Sequence, residues 1–129
     1  MIIRQANTKD MPAIKALIRT YPKQLMQNHL PQPREFFVAS VKGVVVGCCA
    51  LEIYSRRIAE IRSLAVHPDH TRRLIGRRLV GRCLKKAKKE KIYEVFCITG
   101  KVQFFKQFGL DFFKQERYAL FRVLRPNRN

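Results

Sequence analysis

Apolar residues recur along this chain in different rhythms, and each rhythm predicts an element. In "NTKDMPAIKALIRTY" the positions Met11, Ile14, Leu17, Ile18 and Tyr21 fall at helical spacing. Thr8 is a candidate cap and Asp10 puts an acid in the first turn, so a helix is expected here. Pro22, Pro31 and Pro33 then break the period, which predicts a loop with room for one helical turn. "FFVASVKGVVVGCCALEIY" reads as two β-branched or aromatic runs that turn at Lys42-Gly43, the pattern of a hairpin.

After a polar turn at "SRR", the segment "IAEIRSLAV" extends the meander by a third strand. Its apolar residues Ile61, Leu64 and Val66 do not keep strict alternation, which predicts a bulge. From Ile75 onward, Leu79, Val80, Cys83, Leu84 and Ala87 complete one helical stripe, with Arg77, Arg78, Arg82, Lys85, Lys88 and Lys89 mostly outside it. "YEVFCIT" reads as a buried strand, "KVQFFKQF" as a short helix ended by Gly109, and "FFKQERYALFRVL" as a closing strand. The expected order is helix, three strands, helix, strand, helix, strand. That is an α/β fold: a single mixed, mostly antiparallel sheet flanked by helices, forming one domain over residues 1–129.

Composition narrows the class. No apolar run reaches the ~20 residues that span a bilayer, and the first ten residues lack the apolar stretch of a secretory signal, so a cytoplasmic protein without a membrane partner is expected. Cys48, Cys49, Cys83 and Cys97 lie in apolar runs without paired C-x-x-C spacing and read as free, buried thiols. His67 and His70 flank Pro68-Asp69 with no third ligand nearby, so they read as turn residues, and no metal site is expected.

Charge changes the picture more. Lys and Arg number 27 against nine acids, a formal net charge of +18. Such a field attracts anions. The turn "HPDHTRRLIG" joins a strand to a helix, so the first helical amides lie open with the positive end of the dipole behind them. Arg72, Arg73 and Arg77 add full charges around those amides, which makes a phosphate or pyrophosphate the natural guest.

"AEIRSLAVHPDHTRRLIGRRLV" resembles the acetyl-CoA motif of the GNAT superfamily of N-acetyltransferases. "GVVVGCCAL" is similar to the strand pair before that motif, "VFCIT" to the following strand, and "FFKQFGL" to the helix with its terminal glycine. The combination is most similar to the branch that contains the acetyltransferase domain of N-acetylglutamate synthase.

The resemblance implies acetyl-CoA as acyl donor and transfer to the amine of a small acceptor, an amino acid or similar metabolite. It implies that the backbone of Leu64, Ala65 and Val66 pairs with the pantetheine arm, and that Thr71, Arg72, Arg73, Leu74, Ile75 and Gly76 hold the pyrophosphate. It matches Glu60 to a glutamate that serves as the base, and Phe105 to a position where many members carry a tyrosine that protonates the thiolate. Tyr118 is another tyrosine that could serve there.

In the family's phosphate loop only the last glycine, Gly76, is kept. Leu74 stands where a glycine is usual, and a left-handed backbone there would cost roughly 1–2 kcal/mol. Charge-assisted bonds of about 1.5–3 kcal/mol each from neighbouring arginines would offset that cost. Arg62 is a candidate for a substrate carboxylate.

Plainer readings stand beside these. Glu60 and Arg62 could be salt-bridged surface residues, and the basic helix a solvated face. The alternative function is a basic module that binds nucleic acid or an acidic protein on the same fold with a weakened cofactor site, or acetylation of a protein. The oligomeric state is left open, a dimer included.

Overall fold

A computed structural model describes residues 1–113 and 119–125, apart from the side chains of Arg72 and Arg73. Five strands form one sheet in sequence order: β1 (Ile2–Gln5), β2 (Phe36–Val41), β3 (Val44–Ile53), β4 (Ile58–Val66) and β5 (Glu94–Phe96). The first four are antiparallel, and β5 runs parallel to β4. The expected mixed, mostly antiparallel sheet is therefore present.

Helix α1 (Met11–Arg19) covers one face through Ile14, Leu17 and Ile18, packed with Phe36, Val38, Cys48, Ala50 and Ala65. Helix α2 (Ile75–Lys89) covers the other through Ile75, Leu79, Val80, Cys83 and Ala87, packed with Ala39, Cys49, Leu51 and Ile61. The short helix α3 (Val102–Lys106) adds Phe105 to that second cluster. Each face buries a complete apolar stripe, which is what removal of apolar area from water rewards.

Strand β1 was not expected from the pattern. Its four residues "IIRQ" contain no full alternation, and it is held by backbone pairing with β2 from Ile2↔Ser40 to Gln5↔Phe37. Such pairing is invisible to side-chain periodicity. The cap also differs from expectation. Asn7, not Thr8, caps the turn before α1: its side chain accepts from the Lys9 amide, while Asp10 accepts from the Asn7 amide.

The β2–β3 turn is Lys42-Gly43, with φ of 51° and 79°, as a two-residue hairpin loop with two left-handed residues requires. The loop with one helical turn is also present, with that turn at Pro33–Glu35. The closing strand expected over 112–124 lies partly on 114–118, outside the described residues, as does Tyr118. The described residues of that stretch, 112–113 and 119–124, are not in a strand.

Gly47 on β3 faces α2. A Cβ there would lie 2.9 Å from Ile75 Cγ2 and 3.1 Å from Leu79 Cδ1. The first turn of α2 therefore rests against the sheet where only a glycine fits.

Candidate active site

The expected bulge is in β4. Cys48 pairs with Ala65 but Ala50 pairs with Arg62, so Ser63 and Leu64 together oppose Cys49. Ser63 absorbs the extra residue in a left-handed conformation, φ 59°. The consequence is a change of face. Before the bulge Ala59 and Ile61 pack toward α2, and after it Leu64 and Val66 do, while Ala65 turns to the α1 face. The broken alternation of Ile61, Leu64 and Val66 is thereby resolved.

Strand β4 runs on to Val66, whereas its parallel pairing with β5 ends at Glu60↔Phe96. The two strands part there. The stretch of β4 that includes Leu64, Ala65 and Val66 lies beyond the last β5 pair, next to the bulge. The Val66 carbonyl accepts from the hydroxyl of Tyr21, at the end of α1.

The chain then makes a 3-10 turn, Pro68–Arg73, and enters α2 through Leu74 at φ 58°, ψ 21°. Thr71, Arg72, Arg73, Leu74, Ile75 and Gly76 thus form one tight connection, with Leu74 in the left-handed geometry that a glycine would adopt without strain. The Leu74 side chain is 59% exposed. The Arg78 amide makes the first backbone bond back into the helix, to the Leu74 carbonyl at 3.2 Å, so the amides of Ile75, Gly76 and Arg77 precede the ladder. Leu74 gives them no side-chain cap. Gly76 packs under Phe104, whose ring would lie 3.4 Å from an added Cβ.

His67 Nδ1 accepts from the Asp69 amide at 3.1 Å, and His67 meets His70 edge to face. His70 Nδ1 is buried without a hydrogen-bond partner among the described residues. No group of three metal-ligating side chains occurs among the described residues.

On the α1 face of β3 and β4, beside the point where β4 and β5 part, lies a polar cluster. Glu52 and Glu60 are cross-strand partners, and Arg62 follows two residues after Glu60 on the same face. Tyr54 donates to Glu60 Oε1 at 2.6 Å and stacks on Phe96 with 6.4 Å between ring centres. Arg62 donates to Glu52 Oε1 at 2.9 Å and to the His29 carbonyl at 3.0 Å, which ties the proline-bounded loop to the strand. Burial, with the hydrogen bond to Glu60 behind it, pushes the Tyr54 phenol up from its ordinary value. It remains a proton donor at neutral pH.

The predicted residues therefore fall in two adjoining places: Glu60 and Arg62 in the polar cluster, and Leu64 to Gly76 along the strand end and the helix entry. Tyr54 was missed. Its signal, a tyrosine closing the hairpin strand opposite the Glu60 strand, has meaning only once the register is known.

Chemically, the arrangement offers a left-handed turn and open amides suited to a phosphate, a strand edge suited to an extended amide chain, and a carboxylate four residues before that edge on the same strand. The acetyltransferase (GNAT) family model matches residues 3–110. An uncharacterised N-acetyltransferase of Chlorobaculum tepidum is 36% identical, over 90% of this chain and 79% of its own. An amino-acid acetyltransferase of Mycobacterium tuberculosis is 38% identical, over 84% of this chain and 67% of its own.

A Mycobacterium tuberculosis crystal structure in complex with CoA superposes with a TM-score of 0.79 at 38% identity, covering 84% of this chain and 70% of that one. N-acetylglutamate synthase of Neisseria gonorrhoeae, complexed with CoA and N-acetyl-glutamate, superposes at 0.72 with 29% identity, over 82% of this chain and 27% of that one. This chain spans only about a quarter of that longer synthase.

Proposed function

Because the chain belongs to the acetyltransferase (GNAT) family, whose acyl donor is acetyl-CoA, we propose that it transfers the acetyl group to the amine of a small acceptor, an amino acid or similar metabolite. The acceptor class is supported by relatives named amino-acid acetyltransferases.

The observation that carries the reading is the position of Glu60. Its carboxylate is held by Tyr54 beside the gap where β4 leaves β5. An amine held in the polar cluster would stand within reach of this carboxylate and of a thioester laid along Leu64 to Val66. An ammonium has no lone pair to attack with, so Glu60 takes its proton, directly or through one water. The neutral nitrogen attacks the thioester carbonyl, a C–N bond forms, the C–S bond breaks, and the CoA thiolate leaves. Phe105 carries no hydroxyl, and a thiol of ordinary pKa near 8.5 can take its proton from water.

Thr71 to Gly76 hold the pyrophosphate through the open amides of α2 and the charges of the loop. Leu74 adopts the required left-handed turn with its side chain turned to solvent, so a leucine there strains the loop without filling it. Arg62 receives an acceptor carboxylate by exchanging Glu52 for it.

Thermal unfolding with and without acetyl-CoA tests the donor site. A ligand at about 100 times its dissociation constant should add about 2.7 kcal/mol of stability. An acceptor screen that reads released thiol then tests the reaction. Absence of a thermal shift at millimolar acetyl-CoA would defeat the proposal.

A further inference from the structure

Helix α2 carries a feature that acyl transfer does not use. Its fifteen residues include Arg77, Arg78, Arg82, Lys85, Lys86, Lys88 and Lys89 and no acid. None of these cations forms an ion pair among the described residues; the pairs found involve Arg4, Arg57, Arg62, His67 and Lys106. Arg78, Lys85, Lys88 and Lys89 are exposed. Arg82 lies over the Phe37 ring and donates to the Ile3 carbonyl at 3.0 Å, so its charge is fixed in place on the rim of the face.

From Arg78 to Lys89 the face is about 17 Å long at 1.5 Å per residue, so its four exposed cations offer about one positive charge per 4 Å. One strand of a duplex presents a phosphate about every 3.4 Å. An extended acidic peptide would match that density only with an acid at nearly every residue, at about 3.3 Å apiece.

Gly81 points the same way. Glycine is unfavourable inside a helix, yet a Cβ added here would meet nothing within 4 Å, so internal packing does not demand it. It is exposed, and with Ile3, Arg78, Arg82 and Lys85 it lines a groove of about 310 Å³. A bare stretch of backbone ringed by cations lets another backbone approach closely. No aromatic ring is exposed on this helix to stack a base.

We propose that the exposed face of α2, centred on Gly81 and formed by Arg78, Lys85, Lys88 and Lys89, binds the phosphate backbone of a nucleic-acid duplex without reading its sequence. The contact lies apart from Glu60 and does not depend on the acyl-transfer reading.

Fluorescence anisotropy with a labelled duplex of random sequence tests it, as a salt series. Binding is expected with a dissociation constant in the range of about 1–100 μM near physiological salt, and with a steep negative salt slope. The triple variant Arg78→Gln, Lys85→Gln, Lys89→Gln should flatten that slope by about 3 while keeping the wild-type melting curve and acetyl-CoA shift. Gly81→Leu, placed in open space, should keep the fold and weaken duplex binding several-fold. The proposal is overturned by no binding at about 100 μM protein in low salt, by an unchanged slope in the folded triple variant, or by polyglutamate competing as well as unlabelled duplex.

Discussion

The hydroxyl of Tyr54 lies 2.6 Å from Glu60 Oε1, so a tyrosine closing one strand of a hairpin orients a carboxylate on the next. One carboxylate oxygen is engaged, and the other has no hydrogen bond among the described residues. Glu60→Gln should lower kcat by about 10²–10⁴, the usual contribution of a general base, and leave the acetyl-CoA thermal shift intact. Tyr54→Phe should lower kcat by less than the roughly hundredfold that a misplacement of 1 Å can cost. Steady-state kinetics over pH, beside thermal shifts, would check both. An unchanged kcat in Glu60→Gln would remove it from the chemistry.

Leu74 occupies a left-handed turn at 59% exposure, so it bears the strain without much compensating burial. Leu74→Gly should relieve about 1–2 kcal/mol, less about 0.5–1 kcal/mol for the freedom glycine gains in the unfolded chain. Urea denaturation should show a small net gain in stability, and calorimetry should show acetyl-CoA bound at least as tightly as by wild type.

Gly47→Ala should do the opposite. The new methyl would press on Ile75 and Leu79, both fully buried, at a cost of about 1–3 kcal/mol. Since Ile75 opens α2, the strain falls on the open amides. A lower melting temperature with a reduced acetyl-CoA shift is expected, and an unaffected shift would uncouple this contact from the donor site.

The thiols should be unreactive in the folded protein. Burial pushes Cys48 up to about 12, hydrogen bonding to Cys83 and then burial raise Cys49, and burial also raises Cys97, which is only partly enclosed. Iodoacetamide at pH 8 should label Cys97 slowly and the rest only in guanidinium. The raised folded values give stability that is complete below the ordinary 9.0 and lost as pH climbs toward the folded values. The melting temperature should therefore fall above pH 9.

Asp10 works at the other end of the scale. The Arg4 guanidinium, bonded to both carboxylate oxygens at 2.8 and 3.0 Å, holds Asp10 below its ordinary 3.8, with help from the Asn7 amide. A lowered folded value gives stability that is present above 3.8 and lost as pH falls through the folded value. Asp10→Ala should cost about 1–3 kcal/mol at pH 7 and much less at acid pH, because it removes both the ion pair and the acceptor for the Asn7 amide in the turn before α1. Melting curves at the two pH values would show this difference.

Much of the molecule was legible without coordinates. The stripe from Ile75 to Ala87, the Lys42-Gly43 turn and the odd spacing from Ile61 to Leu64 each encode a local geometry, and each is present. These features are short-range: a period of 3.6, two left-handed residues and one extra residue in a strand are set by neighbours in the chain.

The polar cluster was legible only as a list of candidates. Arg62 could be named, but its engagement by Glu52 and the His29 carbonyl depends on a loop more than thirty residues away. Tyr54 could not be singled out, because its meeting with Glu60 follows from β3–β4 pairing below the bulge. A slip of one residue would send one of the two side chains to the opposite face.

The sequence alone therefore determined the run from α1 through the three-strand meander, α2 and β5 to α3, the apolar faces and the charge of α2, since these follow from local sterics and from which side chains avoid water. Tertiary structure decided that β1 joins the sheet, that Ser63 takes the strained conformation in the bulge, and which groups meet at Glu60. Those outcomes rest on backbone pairing between distant segments, whose register is fixed by the packing of the whole sheet against two helices.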